Sequence, residues 1–303
     1  TPDEPKFADP HGTQGSIEMR ARSYLHVNCS VCHRYNSGGG VPSYMNIDAV
    51  LKEAKLIDFK PVQGDLGLPD ARVIARGDPS RSVLLYRMAT AGRGHMPYLG
   101  GRLLDDRGIL LVRDWIASIG GKDKDVAPAA RTQRATEEET LKRLKAGDAA
   151  AIEPLLASAS GALSVLLAIL DDSLPAGLRA QAITKGSAIS DPLRRDLFER
   201  FLPESQRRKV LGPNFQTAAL LAQKGDATRG KTLFASVCVA CHRVNGAGID
   251  FGPELSHIGT KWNRAAMLDQ MLMVNVMDRA VGHRKAIRRI QKCLIPHGLN
   301  IRI

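Results

Sequence analysis

The chain has 303 residues, which is enough for two or three modest cores and excludes a single small domain. Hydrophobic residues make up 44 % of the chain and charged residues 24 %, which excludes wholesale disorder and a collagen-like repeat. Aromatic residues are only 5 %, and the abundance of Ala, Leu and Arg favours helices over a strand-rich sandwich or barrel. The net charge of +12 makes nucleic acid the first partner to test.

The first predicted helix leads directly into a cysteine motif. Apolar residues fall on one face of residues 16–28, with Ser16 as the N-cap. Cys29, Cys32 and His33 follow in the pattern C-x-x-C-H. In this spacing, two thiols add across the two vinyl groups of one haem and the adjacent His becomes the proximal iron ligand. A zinc site or a redox-active cysteine pair is the alternative, but zinc needs further ligands at suitable spacing.

A loop flanked by Gly and Pro supplies the predicted distal ligand of this first haem. Met96 lies in the sequence Gly-His-Met-Pro, and residues 105–119 form the amphipathic run of a predicted closing helix. Met opposite His raises the reduction potential of an electron-transfer haem. We therefore predict Met96 as the distal ligand, with His95 as the competitor that would lower the potential.

The region after this module is predicted to be helical and without catalytic residues. Residues 122–136 are polar, lack an apolar period and predict a linker. Residues 137–222 predict an irregular helical spacer or a few HEAT-like helix pairs. The predicted helices are residues 137–146, 150–157, 162–170 and 192–201. Residues 149–170 are apolar, but Glu153, Pro154 and Gly161 interrupt them, which favours two core helices over a membrane span. We expect the spacer to hold two haem domains at a fixed separation.

The same motif returns near the end of the chain as Cys238, Cys241 and His242. A predicted helix with Asp226 as its N-cap precedes it. No cysteine lies between the two motifs, so neither C-x-x-C pair has a nearby second pair for zinc. Two copies of the pattern predict two covalently attached haem c groups.

The helix, motif and ligand-loop order resembles the class I cytochrome c fold. In that fold the helix before the motif crosses a C-terminal helix at a small residue and an aromatic, for which Gly230 and Phe234 are suitably spaced in the second module. The resemblance implies a mainly α protein with cytochrome c-like domains at residues 1–121 and 223–303. It also implies that the Pro253 carbonyl accepts the imidazole N–H of His242 and orients that ring.

Most of the chain is also similar to the haem-binding modules of large secreted planctomycete and verrucomicrobial proteins. The residues that carry this likeness are 21–29, 77–86, 95–97, 115–116, 196–203 and 225–259. The last domain of that family uses a Met-Pro ligand loop, whereas this chain has no Met-Pro after residue 242. The remaining candidates for the second distal ligand are Met277, chosen from four closely spaced Met residues, and His283. Otherwise the second iron is open or a partner completes it.

The positive charge is concentrated where this likeness ends. Residues 231–303 hold 11 basic and 4 acidic side chains, and the sequence leaves the family pattern at Gly282. No nucleic-acid recognition motif or aromatic platform accompanies the charge, so an acidic redox partner or an anionic membrane surface is the better expectation. Cys293 is left over, either as an inert buried thiol or as a thiol that pairs with another chain.

These features together predict a dihaem c-type cytochrome that carries electrons as a module of a larger redox assembly. The resemblance implies a periplasmic, cell-surface or secreted location in a bacterium. The first alternative is a dihaem peroxidase-like enzyme with an open second iron, which the wide separation of the motifs disfavours. The second alternative is a scaffold in which the helical spacer mediates assembly.

Overall fold

The computed structural model describes residues 7–35, 41–92, 94–97, 103–120, 126–207, 217–240, 242–248 and 254–268. These ranges are mainly helical and contain isolated β-bridges but no strand, which confirms the predicted α class. The chain divides into two compact units. The first comprises residues 1–97 and 104–208, and the second comprises residues 98–103 and 209–303. No helix in the described ranges is both long enough and apolar enough to cross a bilayer.

The helices of the first unit are α1 (Ile17–Cys29), α2 (Val83–Ala89), α3 (Asp106–Ser118), α4 (Pro128–Lys145), α5 (Ile152–Leu156), α6 (Ala159–Leu170), α7 (Ala176–Ser187) and α8 (Pro192–Arg195). Those of the second unit are α9 (Thr217–Leu221), α10 (Ala227–Val237) and α11 (Ile258–Lys261). Short 3-10 turns occupy Pro79–Arg81, Ala149–Ala151, Glu199–Phe201, Glu204–Gln206 and Cys238–Ala240.

Helices α1 and α3 both begin at side-chain caps, and the Ser16 cap of α1 is the one that the sequence predicts. The Ser16 hydroxyl accepts the N–H of Met19 at 3.1 Å, and the Asp105 carboxylate accepts the N–H of Gly108 at 3.0 Å. Each cap satisfies a backbone donor that has no partner inside its helix. Both helices therefore begin next to a residue whose side chain can cap them.

Helices α1 and α3 cross at very close range. A Cβ at Gly108 would overlap the ring of Tyr24, so only a residue without a side chain fits there. Ala21 on α1 and Ile109 and Ile116 on α3 are fully or almost fully buried around this crossing. A small residue and an aromatic thus form the helix crossing that the resemblance implies, here in the first module.

The region between the modules departs from the expected linker. Helix α4 begins at Pro128, so much of the polar segment 122–136 is helical. Pro is favoured in the first turn because it lacks the N–H that would have no helical partner. Side chains one helical turn apart stabilise the exposed face of α4, where Arg134 Nε donates to the Glu138 carboxylate at 2.7 Å.

The sequence pattern also gives no sign of α7, which contains two glycines and has little amphipathic pattern.

The first module and the helices after it share one hydrophobic core. Leu144, Ile152, Leu163 and Phe198 are fully buried in the same cluster as Trp115 of α3. Ion pairs cross the same boundary, including Arg113 to Asp171 at 2.6 Å and Arg134 to Asp78 at 3.2 Å. Residues 126–207 are thus packed onto the first module, while the predicted domain boundaries and HEAT-like character stay predictions.

Candidate functional site

The first cysteine motif forms a tight turn at the end of α1. The N–H of His33 donates to the carbonyl of Cys29 at 2.8 Å, and the N–H of Cys32 donates to the same oxygen at 3.1 Å. Cys29 and Cys32 are thiols, not disulfides. Burial, with a smaller effect of Cys32, raises the pKa of the Cys29 thiol to about 12. Both sulfurs therefore lie in one turn, and the Cys29 sulfur is uncharged at neutral pH.

The His33 imidazole is held in the neutral form that binds iron. Burial lowers its pKa, a hydrogen bond with the backbone of Ser43 opposes that effect, and the nearby Arg87 cation lowers the pKa further. Its Nδ1 atom is buried and has no hydrogen-bond partner. The loop after the motif is tied back by the N–H of Met45, which donates to the His33 carbonyl at 2.6 Å.

The loop that carries Met96 is fastened to Arg87 of α2. The Met96 N–H donates to the Arg87 carbonyl at 3.0 Å, while the Arg87 guanidinium donates to Gly94 O at 3.0 Å and to Gln63 O at 3.1 Å. The Arg87 cation is also close enough to His33 to lower its pKa. Arg87 therefore interacts with both predicted iron ligands, His33 and Met96. The role of Met96 as a ligand stays a prediction, as does that of its neighbour His95.

A second histidine, His26, braces the loop behind the motif. Its Nδ1 accepts the N–H of Ile47 at 2.9 Å, and its ring meets that of Phe7 edge-on with centroids 4.9 Å apart. Arg22 donates to the carbonyls of Ile47 and Ala49 at 2.7 and 2.5 Å. His26 lies three residues before the motif and belongs to no recognisable sequence pattern, so only the fold reveals its role.

The second motif repeats this local geometry in the second unit. The Asp226 carboxylate accepts the N–H of Arg229 at 2.9 Å, which confirms the predicted cap of α10. The N–H of His242 then donates to the Cys238 carbonyl at 2.9 Å, and Cys238 is a thiol. Cys241 lies outside the described residues.

The glycine-rich loop after the second motif folds back on it. Gly248 has φ +105°, and a Cβ there would overlap the carbonyl oxygen of His242. The N–H of Leu255 donates to Arg243 O at 2.9 Å, and the N–H of Asn245 donates to the Ser256 hydroxyl at 2.6 Å. Backbone therefore approaches His242 closely, which only glycine permits at position 248.

Several predicted residues lie outside the described part of the chain. They are Cys241, Pro253, Met277, His283 and Cys293. Their proposed roles stay predictions. Gly230 is described and has open space where a Cβ would lie, so its predicted helix crossing also stays a prediction. Within the described ranges, no three His, Cys, Asp or Glu side chains are grouped as a metal-ion site.

Two functional contacts had no sequence pattern that could have revealed them. Ser43 meets His33 through its backbone, which any residue type provides. Arg87 acts through its position on α2, where its carbonyl and its guanidinium both face the Met96 loop. Only the folded chain brings these groups to the motif.

Residues 227–284 match the family model described as Cytochrome c. The match includes α10, the second motif and the glycine-rich loop. The first motif lies outside it. No curated protein and no solved structure matches the chain. The matched segment supports a haem-based electron carrier with covalently bound haem c.

Proposed function

We propose that this protein is a dihaem c-type cytochrome that carries electrons between redox partners. The observation that carries the proposal is the shared geometry of the two C-x-x-C-H motifs. Each follows a helix, and each closes a turn with a bond from the His N–H to the first Cys carbonyl, 2.8 Å in one motif and 2.9 Å in the other. The second motif lies in the matched segment, and the first repeats its backbone arrangement.

The residues of the first site fit a c-type haem. Cys29 and Cys32 offer two thiols in one turn, and His33 offers a neutral imidazole with a buried nitrogen that no protein group satisfies. A bound haem c supplies a one-electron iron couple. Met96 fills the distal position in this proposal, which keeps water and small substrates away from the metal. Arg87 holds the Met96 loop and places a positive charge near His33, which favours the reduced state.

The second site uses Cys238, Cys241 and His242. Its distal ligand is Met277 in our proposal, and His283 is the other candidate within the chain. The Pro253 carbonyl is proposed to accept the other imidazole N–H of His242, which would orient the ring and strengthen it as a ligand. The close approach of the Gly248 backbone to His242 supports a tight packing of residues 246–248 on this side of the motif.

Charge and cofactor chemistry support a partner and a location. Residues 231–303 carry a net charge of +7 beside the second motif, which suits an acidic redox protein or a complex at an anionic membrane surface. Cytochrome c domains of bacteria are typically found outside the cytoplasm. We therefore place this protein in the periplasm, at the cell surface or in the medium, as a module of a larger redox assembly.

Haem counting tests the dihaem proposal. The chain is expressed with a c-type maturation system and its intact mass is measured after denaturation, when only covalently bound haem remains. We expect two haems on the wild type and one on the double variant Cys29→Ser/Cys32→Ser. One haem on both proteins would contradict a first haem site and leave a single cytochrome c domain.

Spectroscopy separates a carrier from an enzyme. A carrier should show two low-spin haems in optical and EPR spectra of the oxidised protein. A high-spin component together with peroxide-dependent turnover would contradict the carrier function and favour the peroxidase-like alternative.

A further inference from the structure

A short segment after α7, residues 191–201, contacts the chain just before the Met96 loop. The N–H of Ala91 donates to the Asp196 carbonyl at 3.0 Å. The Asp196 side chain is buried against Gly92, where an added Cβ would overlap its carboxylate. The hydroxyl of Tyr86, a fully buried residue of α2, donates to the carbonyl of Leu193. Three contacts thus hold residues 86–92, which lead into the Met96 loop, against residues 191–201.

The same segment also contacts the far end of the loop. The Arg200 guanidinium donates to the carboxylate of Asp106, the first residue of α3. The Arg200 side chain is largely buried, whereas the Asp106 side chain is 52 % exposed, so the pair lies at the surface of the unit. Residues 191–201 therefore bridge the two ends of the loop on which Met96 lies.

The bridging segment is anchored in the helices behind it. Leu197 and Phe198 are fully buried. The Phe198 ring lies against Gly186 of α7, where an added Cβ would come within 2.5 Å of the ring. A shift of α7 would therefore be transmitted to residues 191–201, because a packed interior has no room to absorb it.

We propose that residues 191–201 act as a clamp that positions the Met96 loop, with the Asp196 carbonyl, which accepts the Ala91 N–H, as the positioning contact. The clamp makes the helical spacer part of the first haem site, since it sets how well Met96 reaches the iron. Groups that orient a metal ligand from outside affect the metal nearly as strongly as the ligand does. The inference rests on the proposed function, because it takes Met96 as the distal ligand of a first haem.

The test uses the full-length protein with its haems attached. Gly92→Ala inserts a methyl group against Asp196, and Gly177→Ala is the control because Gly177 of α7 has open space around it. The readouts are the weak long-wavelength Met-to-iron absorption band and the reduction potential of the first haem. We expect the ratio of Met-bound to Met-free iron to fall about tenfold or more in Gly92→Ala, the scale on which outer ligand partners affect metal sites. Gly177→Ala should keep the wild-type ratio.

A rescue variant distinguishes the clamp from general damage. Asp196→Gly removes the side chain that the new methyl group meets, so Gly92→Ala/Asp196→Gly should regain most of the band. If Gly92→Ala cannot be obtained folded, Tyr86→Phe removes the hydroxyl that bonds Leu193 and Thr90 and should lower the ratio to a smaller extent. An unchanged band and potential in a variant that merely unfolds at lower denaturant would overturn the clamp.

The result also separates this inference from the proposed function. A band that keeps its full intensity in Met96→Ala, or a first motif without haem, contradicts the ligand assignment itself. A band that depends on Met96 but is indifferent to Gly92→Ala and Tyr86→Phe contradicts only the clamp.

Discussion

His33 and His26 differ in the hydrogen-bond partners of their imidazole Nδ1 atoms. His33 has a buried Nδ1 without a hydrogen-bond partner, which suits a residue whose ring is completed by a ligand. His26 instead uses Nδ1 to accept the N–H of Ile47 at 2.9 Å, which places the proton of the neutral ring on Nε2. The first is a ligand by our proposal, and the second is a structural residue that holds the loop behind it.

The stability of the protein should fall in mild acid because of His26. Burial lowers its pKa below the ordinary value of 6.5, an effect that Arg34 reinforces and Asp48 opposes. Since the unfolded chain binds this proton more tightly, the contribution is complete above pH 6.5 and is lost as the pH falls through the folded pKa. One such group changes the free energy of unfolding by at most about 1.4 kcal/mol per pH unit.

Urea unfolding of the haem-bound protein between pH 8 and pH 5 measures this dependence. His26→Asn keeps a hydrogen-bond acceptor for Ile47 but cannot titrate, so its stability should vary less with pH. An equal slope in both proteins would show that another group is responsible.

Replacement of Met96 tests the distal ligand of the first haem. Met96→Ala should remove the first haem's contribution to the weak Met-to-iron absorption band, leaving only what Met277 would give the second haem, and it should lower the reduction potential of the first haem, because Met ligation raises it. The optical spectrum and a redox titration provide the measurement. His95→Ala is the matched control and should keep the band. A potential that falls in Met96→Ala no more than in His95→Ala would contradict Met96 as the ligand.

The main link between elements at the first site is the crossing of α1 and α3. Helix α1 ends in the cysteine motif, and α3 follows the Met96 loop, so their contact brings the two predicted ligand segments together. The absence of a side chain at Gly108 lets the Tyr24 ring lie against the α3 backbone. Close helix approach at a small residue increases packing contacts along both helices.

Gly108→Ala should weaken this crossing. The new methyl group would overlap Tyr24, and overpacking of this kind costs about 1–3 kcal/mol of unfolding free energy. The control is again Gly177→Ala, which lies in open space and should be neutral or stabilising by about 0.5–1 kcal/mol. Denaturant unfolding monitored by far-UV circular dichroism compares the two, and equal stabilities would contradict the close approach.

At the scale of the whole molecule, the two C-x-x-C-H motifs lie in different compact units. The first site shares its core with α4 to α8, whereas the matched cytochrome c segment belongs to the second unit. A haem site that shares a core with a helical region unfolds together with that region, because both depend on the same buried surface.

Phe198→Ala tests this dependence. Phe198 is fully buried in the shared core, and its truncation should cost about 3–5 kcal/mol of the stability of the first unit. Thermal unfolding followed through the Met-to-iron band of the first haem should show a lower midpoint. The absorption of the second haem should keep its own midpoint, and a parallel shift of both would mean that the units unfold as one.

The sequence by itself determined the parts of this protein that depend on local chemistry. The C-x-x-C-H patterns, the caps Ser16 and Asp226, and the mainly helical class all follow from residue type and spacing over a few positions. Helix α7 was not predicted because it contains two glycines and has a weak apolar pattern. Its stability comes from tertiary packing instead of from local sequence.

Only the tertiary structure decided which distant segments meet. The contact of Asp196 with Gly92 and the position of Arg87 between His33 and the Met96 loop join residues far apart in the chain. Such contacts depend on how buried surfaces pack, and the type of a residue does not reveal which distant residues it will contact. The sequence therefore predicts where haem is attached, while the fold decides what surrounds and holds its ligands.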